Sequence, residues 1–267
     1  MVFLHTTKKE LYEMCLLTIA YNKHPNYPLM VVSNRDEFYD REAMPAHYWR
    51  DEPSIYAGRD LLGGGTWIGV SKSGRLAAIT NYRDPSLPEI GERSRGEIVR
   101  NFLLEKGSTT TFFKELKNMK ELYGGYNFIG YDGEQLLHYN NILDEGGTVA
   151  PGIHSVSNAS LNTPWPKVKL ASEKLENSIQ LTGEEQLNVF KTLLEDPSIA
   201  PDEALPNTGV GIHLERILSA QFVKMNGYGT RSSATILFDH EGMIHFNERT
   251  YVNGEFIHEI SENIKIE

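Results

Sequence analysis

Cysteine is almost absent from this sequence: of its 267 residues, only Cys15 carries a thiol. A single cysteine forms neither an internal disulfide nor a multi-thiolate zinc site, so disulfide-stabilised secreted folds and the commonest structural metal sites are excluded. So little cysteine fits a reducing compartment. The count by itself leaves open what this cysteine does near the start of the chain.

Long apolar runs are absent as well. No segment has the roughly 18 consecutive apolar residues that a membrane-spanning helix needs. The first 14 residues include four charged side chains, where a secretory signal would have an apolar stretch followed by a cleavage site. We therefore expect a cytoplasmic protein without a membrane span. Residues 1–14 are interpreted as an N-terminal extension or propeptide, and residues 15–267 as a single domain.

Basic residues are in the minority, 26 against 36 acidic ones, which gives a formal net charge of −10. A surface of that sign repels phosphate, so no nucleic-acid partner is expected. The G-x-S-x-G, G-x-x-x-x-G-K-[ST] and H-E-x-x-H motifs are missing. The nine histidines are scattered, and none lies three or four residues from another. Neither a metal site nor a cofactor is predicted, and no pattern specifies an oligomeric state.

Strand-like and helix-like segments occur in an order that indicates the fold class. Hairpins are predicted at 15–21 with 28–33 and at 66–71 with 75–80, and the polar stretch 39–65 between them is a candidate functional loop. The order strands, helices, strands, helices, strands favours an α+β domain of packed sheets covered by helices. The further predicted elements are helices at 94–105, 108–122, 166–180 and 184–195, strands at 125–131, 135–140, 152–157, 232–238, 243–249 and 251–257, and a loop at 196–212.

Cys15 allows two interpretations. In an apolar strand, a lone cysteine is ordinarily a small buried side chain. However, Cys15 directly follows Met14, which is either an internal start or the residue before a processing cut. As the first residue, Cys15 would carry both a thiol and an α-amine with a pKa of about 7.7–8.0, which accepts the thiol proton near neutral pH.

Charged and polar residues follow the second predicted strand. Asn34, Arg35 and Asp36 come directly after an apolar run, at a position where a hairpin places them beside Cys15. Such a run is commonly a solvated turn. A charge at the rim of a buried sheet, by contrast, needs a partner, which makes these residues candidates for a site.

Three more candidates flank later strands. Asn81 and Asn158 each follow a predicted strand, where asparagine is also an ordinary turn residue. Arg231 precedes a strand and is interpreted either as an exposed arginine or as a fixed cation near an anion.

Six ordered motifs resemble those of the NRDE family, also called the transport and Golgi organisation family. The resemblance covers nearly the whole chain from Met14 onward, and members of the family typically begin with Met-Cys. The motifs are Met14-Cys15, SNRDEF (33–38), GGGTWIGVS (63–71), ITNY (79–82), SNASLNTPW (157–165) and YGTRSSATILF (228–238).

The family in turn resembles the cysteine N-terminal nucleophile hydrolases, whose fold is a four-layer αββα sandwich. That resemblance implies that Cys15 is the nucleophile and that Asp36 holds its α-amine. It also implies that Asn81 and Asn158 stabilise the oxyanion, and that Arg231 is a later active-site arginine. In this chain, Ser33 stands where the R-N-x-D motif of those hydrolases has its arginine. Arg35 is the candidate substitute for that cation, and the resemblance implies that Arg35 and Asn34 bind the substrate.

Two functions from different classes follow from the resemblance. The first is hydrolysis of a non-peptide amide bond in a small acyl-amide. The alternative is a non-enzymatic trafficking role, in which the same pocket binds haem or a lipid-like apolar ligand without converting it.

Overall fold

The computed structural model of the protein describes residues 14–87, 91–181 and 183–267. Of the predicted extension at 1–14, only Met14 lies within these ranges, as the first residue of a strand. The strands are β1 (Met14–Tyr21), β2 (Leu29–Phe38), β3 (Ala43–Tyr48), β4 (Ile55–Asp60), β5 (Ile68–Ser71), β6 (Leu76–Asn81), β7 (Tyr126–Tyr131), β8 (Leu136–Asn140), β9 (Glu145–Thr148), β10 (Gly152–Val156), β11 (Tyr228–Phe238), β12 (Met243–Val252) and β13 (Glu255–Lys265). The helices are α1 (Gly96–Leu104), α2 (Thr109–Asn118), α3 (Pro166–Ser178), α4 (Gly183–Thr192) and α5 (Ile212–Leu218).

The strands form two antiparallel sheets. The first sheet has the order β10-β1-β2-β11-β12-β13, so strands from both ends of the chain pair in its middle. The second sheet follows chain order from β3 to β9. Both predicted hairpins are confirmed as β1–β2 and β5–β6.

Three apolar layers hold the sheets and helices together. One lies between the sheets and includes Leu17, Val31 and Ile236. A second packs α1 and α2 on the outer face of the second sheet, around Phe102. A third packs α3 and α4 on the outer face of the first sheet, around Leu175. The predicted α+β class and its four-layer αββα order are confirmed.

Because β1 is covered on both faces, it is apolar throughout rather than alternating. Leu17 and Ile19 face the second sheet, while Leu16 and Ala20 face α3 and α4. The same division continues on β2, where Val31 and Val32 face opposite ways. Alternation along these two strands therefore decides which layer each residue of the candidate site enters.

Several elements differ from the sequence-based expectation. The stretch 39–65 is not a single loop, since it contains β3 and β4, and β9 and α5 were not predicted. The strand β3 is an edge strand with Pro45 in it, and β9 is an edge strand with two glycines, so neither shows strand periodicity. The helix α5 has only seven residues.

Candidate active site

Cys15 is the second residue of β1 and lines a cavity of about 330 Å³. Its side chain is partly exposed. Since Leu17 and Ile19 face the second sheet, the two-residue period of the strand turns Cys15 toward the space between the sheets. The cavity opens at this end of the strand, so the thiol is accessible to a small molecule.

Asp36 places a buried carboxyl group next to the beginning of β1, opposite Met14 in the strand register. Its Oδ1 accepts a 2.6 Å hydrogen bond from Thr230 Oγ1. Its Oδ2 is buried without a hydrogen-bond partner among the described residues. Burial raises the pKa of Asp36 to about 6, and the Lys167 ammonium is the strongest of the nearby charges that oppose this rise.

The two candidate asparagines are joined to each other close to Cys15. Asn158 Nδ2 donates a 2.9 Å hydrogen bond to the backbone oxygen of Asn81. Ser157 Oγ donates a 2.8 Å hydrogen bond to the backbone oxygen of Cys15. Asn81 lines the cavity, whereas Asn158 is buried directly behind its wall. The Ser157 hydroxyl therefore holds the carbonyl of the cysteine, and the neighbouring Asn158 holds the backbone of Asn81.

Arg35 lies opposite Cys15 in the register and lines the same cavity. Its guanidinium lies over the ring of Trp67, 4.3 Å from the ring centroid. Nη2 is 3.4 Å from Glu37 Oε2 and 3.7 Å from Asp60 Oδ2. The arginine therefore belongs to a buried network of charges in the cavity wall.

Asn34 lies on the opposite face of β2, away from the cavity. Its Nδ2 donates to the backbone oxygens of Leu194, at 3.0 Å, and Gln221, at 2.8 Å. Its Oδ1 accepts a 2.6 Å bond from Ser233 Oγ. These three bonds tie the first sheet to the segments that follow α4 and α5, so the structure does not bring Asn34 to the substrate space.

Arg231 is also directed elsewhere. Its Nη1 donates to the backbone oxygens of Phe38, at 3.1 Å, and Arg41. It lines a second, much smaller cavity of about 40 Å³. The structure thus brings Cys15, Asp36, Asn81 and Arg35 together at one cavity, with Asn158 behind the wall, and leaves Arg231 and Asn34 outside.

Charged side chains are numerous in the wall of the cavity that Cys15 lines, and apolar side chains form the rest of its surface together with backbone and small residues. Its remaining wall comes from β4, the following glycine turn and the segment before α1, and the described part of the 196–212 loop contributes nothing to it. An apolar ligand such as haem is expected in a pocket of apolar side chains, so this lining favours a polar ligand. The charged lining residues are Arg35, Asp36, Glu37, Arg41, Asp60, Glu92, Arg93 and Arg95, and the large apolar ones are Leu62, Trp67 and Ile79.

Within the described ranges, no group of three or more histidine, cysteine, aspartate or glutamate side chains is placed to hold a metal ion. The chemistry that the cavity offers is therefore that of a thiol, carboxyl groups, amides and guanidinium groups.

Lys167, the second residue of α3, is 2% exposed and is not among the residues predicted from the sequence. It lies near Asp36, and its charge is among those that act on that carboxyl group. A signal was present, because Lys167 stands four and eight residues before the buried Ala171 and Leu175. A lysine on the apolar stripe of a helix indicates a buried charge with a specific role.

A second buried carboxyl group lies apart from Cys15. Glu248 on β12 lines the smaller cavity beside Arg231, and its Oε1 accepts a 2.8 Å hydrogen bond from the Ala46 backbone nitrogen. Its Oε2 has no hydrogen-bond partner in the described chain. Burial raises the pKa of Glu248 to about 7.

Glu248→Gln is expected to raise the free energy of unfolding above pH about 8 by on the order of 2 kcal/mol, with little difference from wild type below pH about 4.5. As the pH rises, Glu248 loses its proton at a lower pH in the unfolded chain than in the folded one, because burial raises its pKa only in the folded state. The wild-type fold therefore loses stability as the pH rises, and the neutral glutamine does not have this effect. Urea unfolding across this pH range measures the difference. Glu241→Gln, at an exposed glutamate in the preceding turn, is the control and should show no such trend. A pH-independent difference for Glu248→Gln would contradict the prediction.

The described geometry can be compared with known proteins. The family model "Transport and Golgi organisation 2" matches residues 14–253. The chain belongs to this family. The match begins at Met14, the residue before the cysteine in the cavity.

Relatives within the Transport and Golgi organisation 2 family extend the match over most of the chain. The human "Transport and Golgi organization protein 2 homolog" is 33% identical and covers 92% of this chain and 96% of its own length. The Bos taurus homologue is 34% identical, with 91% and 95% covered. "Transport and Golgi organization protein 2" of Drosophila melanogaster is 24% identical, with 89% and 92% covered.

Among solved structures, this member of the family overlaps with the Caenorhabditis elegans N-acylethanolamine-hydrolyzing acid amidase ortholog. The TM-score is 0.44 at 10% identity, over 66% of this chain and 85% of that one. At that distance, the overlap does not bear on activity. No described helix combines the length and apolar character needed to cross a membrane.

Proposed function

We propose that this chain hydrolyses a non-peptide carbon–nitrogen bond in a small acyl-amide, with Cys15 as the nucleophile. The observation that carries the proposal is the placement of the Cys15 thiol. It faces a cavity at the end of β1 whose lining includes Asp36. By strand alternation, the buried Asp36 carboxyl group points to the other face of β2, and its Oδ2 has no partner in the described structure. A thiol with a carboxyl group beside its own backbone nitrogen is the arrangement that an N-terminal nucleophile requires.

The base in this proposal is the α-amine that Cys15 acquires once it is the first residue. Because Met14 pairs with Asp36 in the register, removal of Met14 frees that amine next to the carboxyl group. The free oxygen of Asp36 would accept a hydrogen bond from the amine and orient it. An amine with a pKa of about 7.7–8.0 is mostly protonated at pH 7 but keeps roughly a tenth to a sixth in the free form, so it both takes and returns a proton.

The reaction would proceed in two stages. The thiol proton passes to the α-amine while the sulfur bonds to the amide carbonyl carbon. The tetrahedral oxyanion accepts a hydrogen bond from the amide of Asn81, and Asn158 supports Asn81 through its bond to the Asn81 backbone oxygen. Collapse breaks the carbon–nitrogen bond, and the leaving nitrogen takes the proton from the ammonium. Water then attacks the thioester with the amine again acting as base, which releases the carboxylic acid and restores the thiol.

The size and the charged groups of the cavity favour a small substrate with polar substituents. A volume of about 330 Å³ is at the lower end for small-molecule sites. Its wall carries Arg35 and Arg41 together with Glu37 and Asp60, joined by contacts such as the 2.7 Å one between Arg41 Nε and Asp60 Oδ2. Acyl-amides with polar or charged substituents therefore fit this wall better than long alkyl amides.

A panel of acyl-amides tests the proposal directly. Polar and alkyl acyl groups of matched size would be joined to one amine, whose release is measured with protein whose first residue is Cys15. We expect turnover of at least one polar member and a preference for polar over alkyl groups. An inert panel, together with saturable haem binding in an absorbance titration, would replace this proposal with the binding function.

A further inference from the structure

Lys167 is a buried cation that no described contact neutralises. Its side chain is 2% exposed, and Nζ has no hydrogen-bond partner within the described chain. Transfer of an ammonium group from water to a protein interior destabilises the fold unless other groups compensate the charge. A cation retained under these conditions points to an electrostatic role.

The charged and titratable groups that act on Lys167 come from four separate segments. They are Asp36 on β2, Cys15 on β1, Arg83 after β6 and Glu215 on α5. Among them, Asp36 has the strongest effect on the lysine and favours its charged form.

Glu215 is already engaged. Its Oε2 is 2.9 Å from Arg83 Nη1 in a buried ion pair, and its Oε1 accepts bonds from both the nitrogen and the hydroxyl of Thr208. The guanidinium of Arg83 also lies over the ring of Trp165, at 4.9 Å. Asp36, whose Oδ2 has no hydrogen-bond partner among the described residues, and the Cys15 thiol also favour the charged form of Lys167.

We propose that Lys167 is a positioning residue whose ammonium group holds Asp36 and the Cys15 thiol in their charged forms. The inference rests on the proposed function in that it takes Cys15 as the nucleophile. A positive charge in a low-dielectric interior favours nearby anions. A charged Asp36 keeps its electrostatic attraction for the α-amine of Cys15. A larger fraction of thiolate at Cys15 increases the rate of attack on the substrate carbonyl.

The direction of the shifts in pKa agrees with this geometry. Burial raises the pKa of Asp36 to about 6, and Lys167 is the strongest of the charges that hold it from rising further. Burial lowers the pKa of Lys167 to about 8, so the lysine is still mostly charged at neutral pH. Loss of Lys167 would leave Asp36 more protonated and the thiol harder to ionise.

Alkylation of Cys15 by iodoacetamide as a function of pH tests the proposal in the full chain. As the chain has one cysteine, mass spectrometry of the alkylated thiol reports on Cys15 alone. For wild type, we expect the rate to rise with a midpoint below about 8.5, the ordinary thiol pKa. In Lys167→Met, the midpoint should rise by about one unit, which lowers the alkylation rate at pH about 7 roughly tenfold.

The same helix offers a matched control. Lys169→Met removes an equal charge at an exposed position two residues along α3, and it should leave the midpoint unchanged. Lys167→Arg keeps the cation and should restore most of the wild-type profile. Thermal melting shows whether Lys167→Met is folded at the temperature of the assay, because removal of the cation leaves the Asp36 carboxyl group without the charge that compensates it.

Three results would overturn the inference. The first is a wild-type alkylation midpoint at or above about 8.5, which needs no variant. The second is an equal midpoint in Lys167→Met and wild type. The third is that same equality together with a lower melting temperature of Lys167→Met. The last indicates a merely structural lysine. Because alkylation needs no substrate, a failed amide panel with a shifted midpoint would count against the hydrolase proposal alone.

Discussion

Cys15→Ala is expected to reduce amide turnover by about 10⁴-fold or more, to the background rate. Without the sulfur, no acyl-enzyme forms, and the asparagine amides and the cavity wall only hold the substrate. The Cys15 side chain is partly exposed, so its truncation removes few packing contacts and the fold should persist. Initial rates of amine release at saturating substrate measure the effect.

Ser33→Ala is the matched control for this variant. Ser33 lies on the adjacent strand, pairs with Leu17 in the register, and contributes with Cys15 to a small void between the sheets. Its hydroxyl has no part in the proposed chemistry, so most of the turnover should remain. Undiminished turnover in Cys15→Ala, with the melting temperature unchanged, would assign the reaction to another group.

A chain whose first residue is Cys15 is expected to turn over amides about 10²-fold or more faster than a chain that retains residues 1–14. In the longer chain, the nitrogen of Cys15 is a peptide nitrogen and accepts no proton. In the shorter one it is an amine beside Asp36, and the rate should rise with pH through about 7.7–8.0 as the amine loses its proton. Rates across pH for the two chains measure the difference.

A chain that begins one residue earlier and retains Met14 is the matched control, and it should be as slow as the long chain. Mass spectrometry of active protein expressed from its native gene should find Cys15 as the first residue. If all active protein keeps Met1, the free-amine mechanism is wrong, whichever residue supplies the base.

Much of the fold could be predicted from local patterns. The hairpin β1–β2 and the helices α1 to α4 each bury an apolar stripe or run, and the spacing of their apolar residues predicts that burial. The misses, β3, β9 and α5, are short or lie at a sheet edge. Their conformation is set by the neighbours to which they bond rather than by their own pattern.

The residues of the candidate site could be predicted only in part from the sequence. Strand pairing predicted that Asp36 lies beside Cys15, and the family resemblance added Asn81; all three line one cavity. The motif that placed Asn34 beside them could not show which sheet face borders the cavity. Lys167 lies 131 residues beyond Asp36 in the chain, and only the packing of α3 on the first sheet brings the two charges together.

The sequence by itself determined the two sheets, their helical cover and the lone thiol at the start of a buried strand. These features follow from apolar periodicity and residue counts, which are local and additive. The tertiary structure alone decided the electrostatic surroundings of that thiol: the buried Asp36 and Lys167, each with a side-chain atom that has no hydrogen-bond partner among the described residues. The apolar stripe of α3 indicates that Lys167 is buried, but charge proximity depends on which distant segments pack together, and no local pattern places Lys167 beside Asp36.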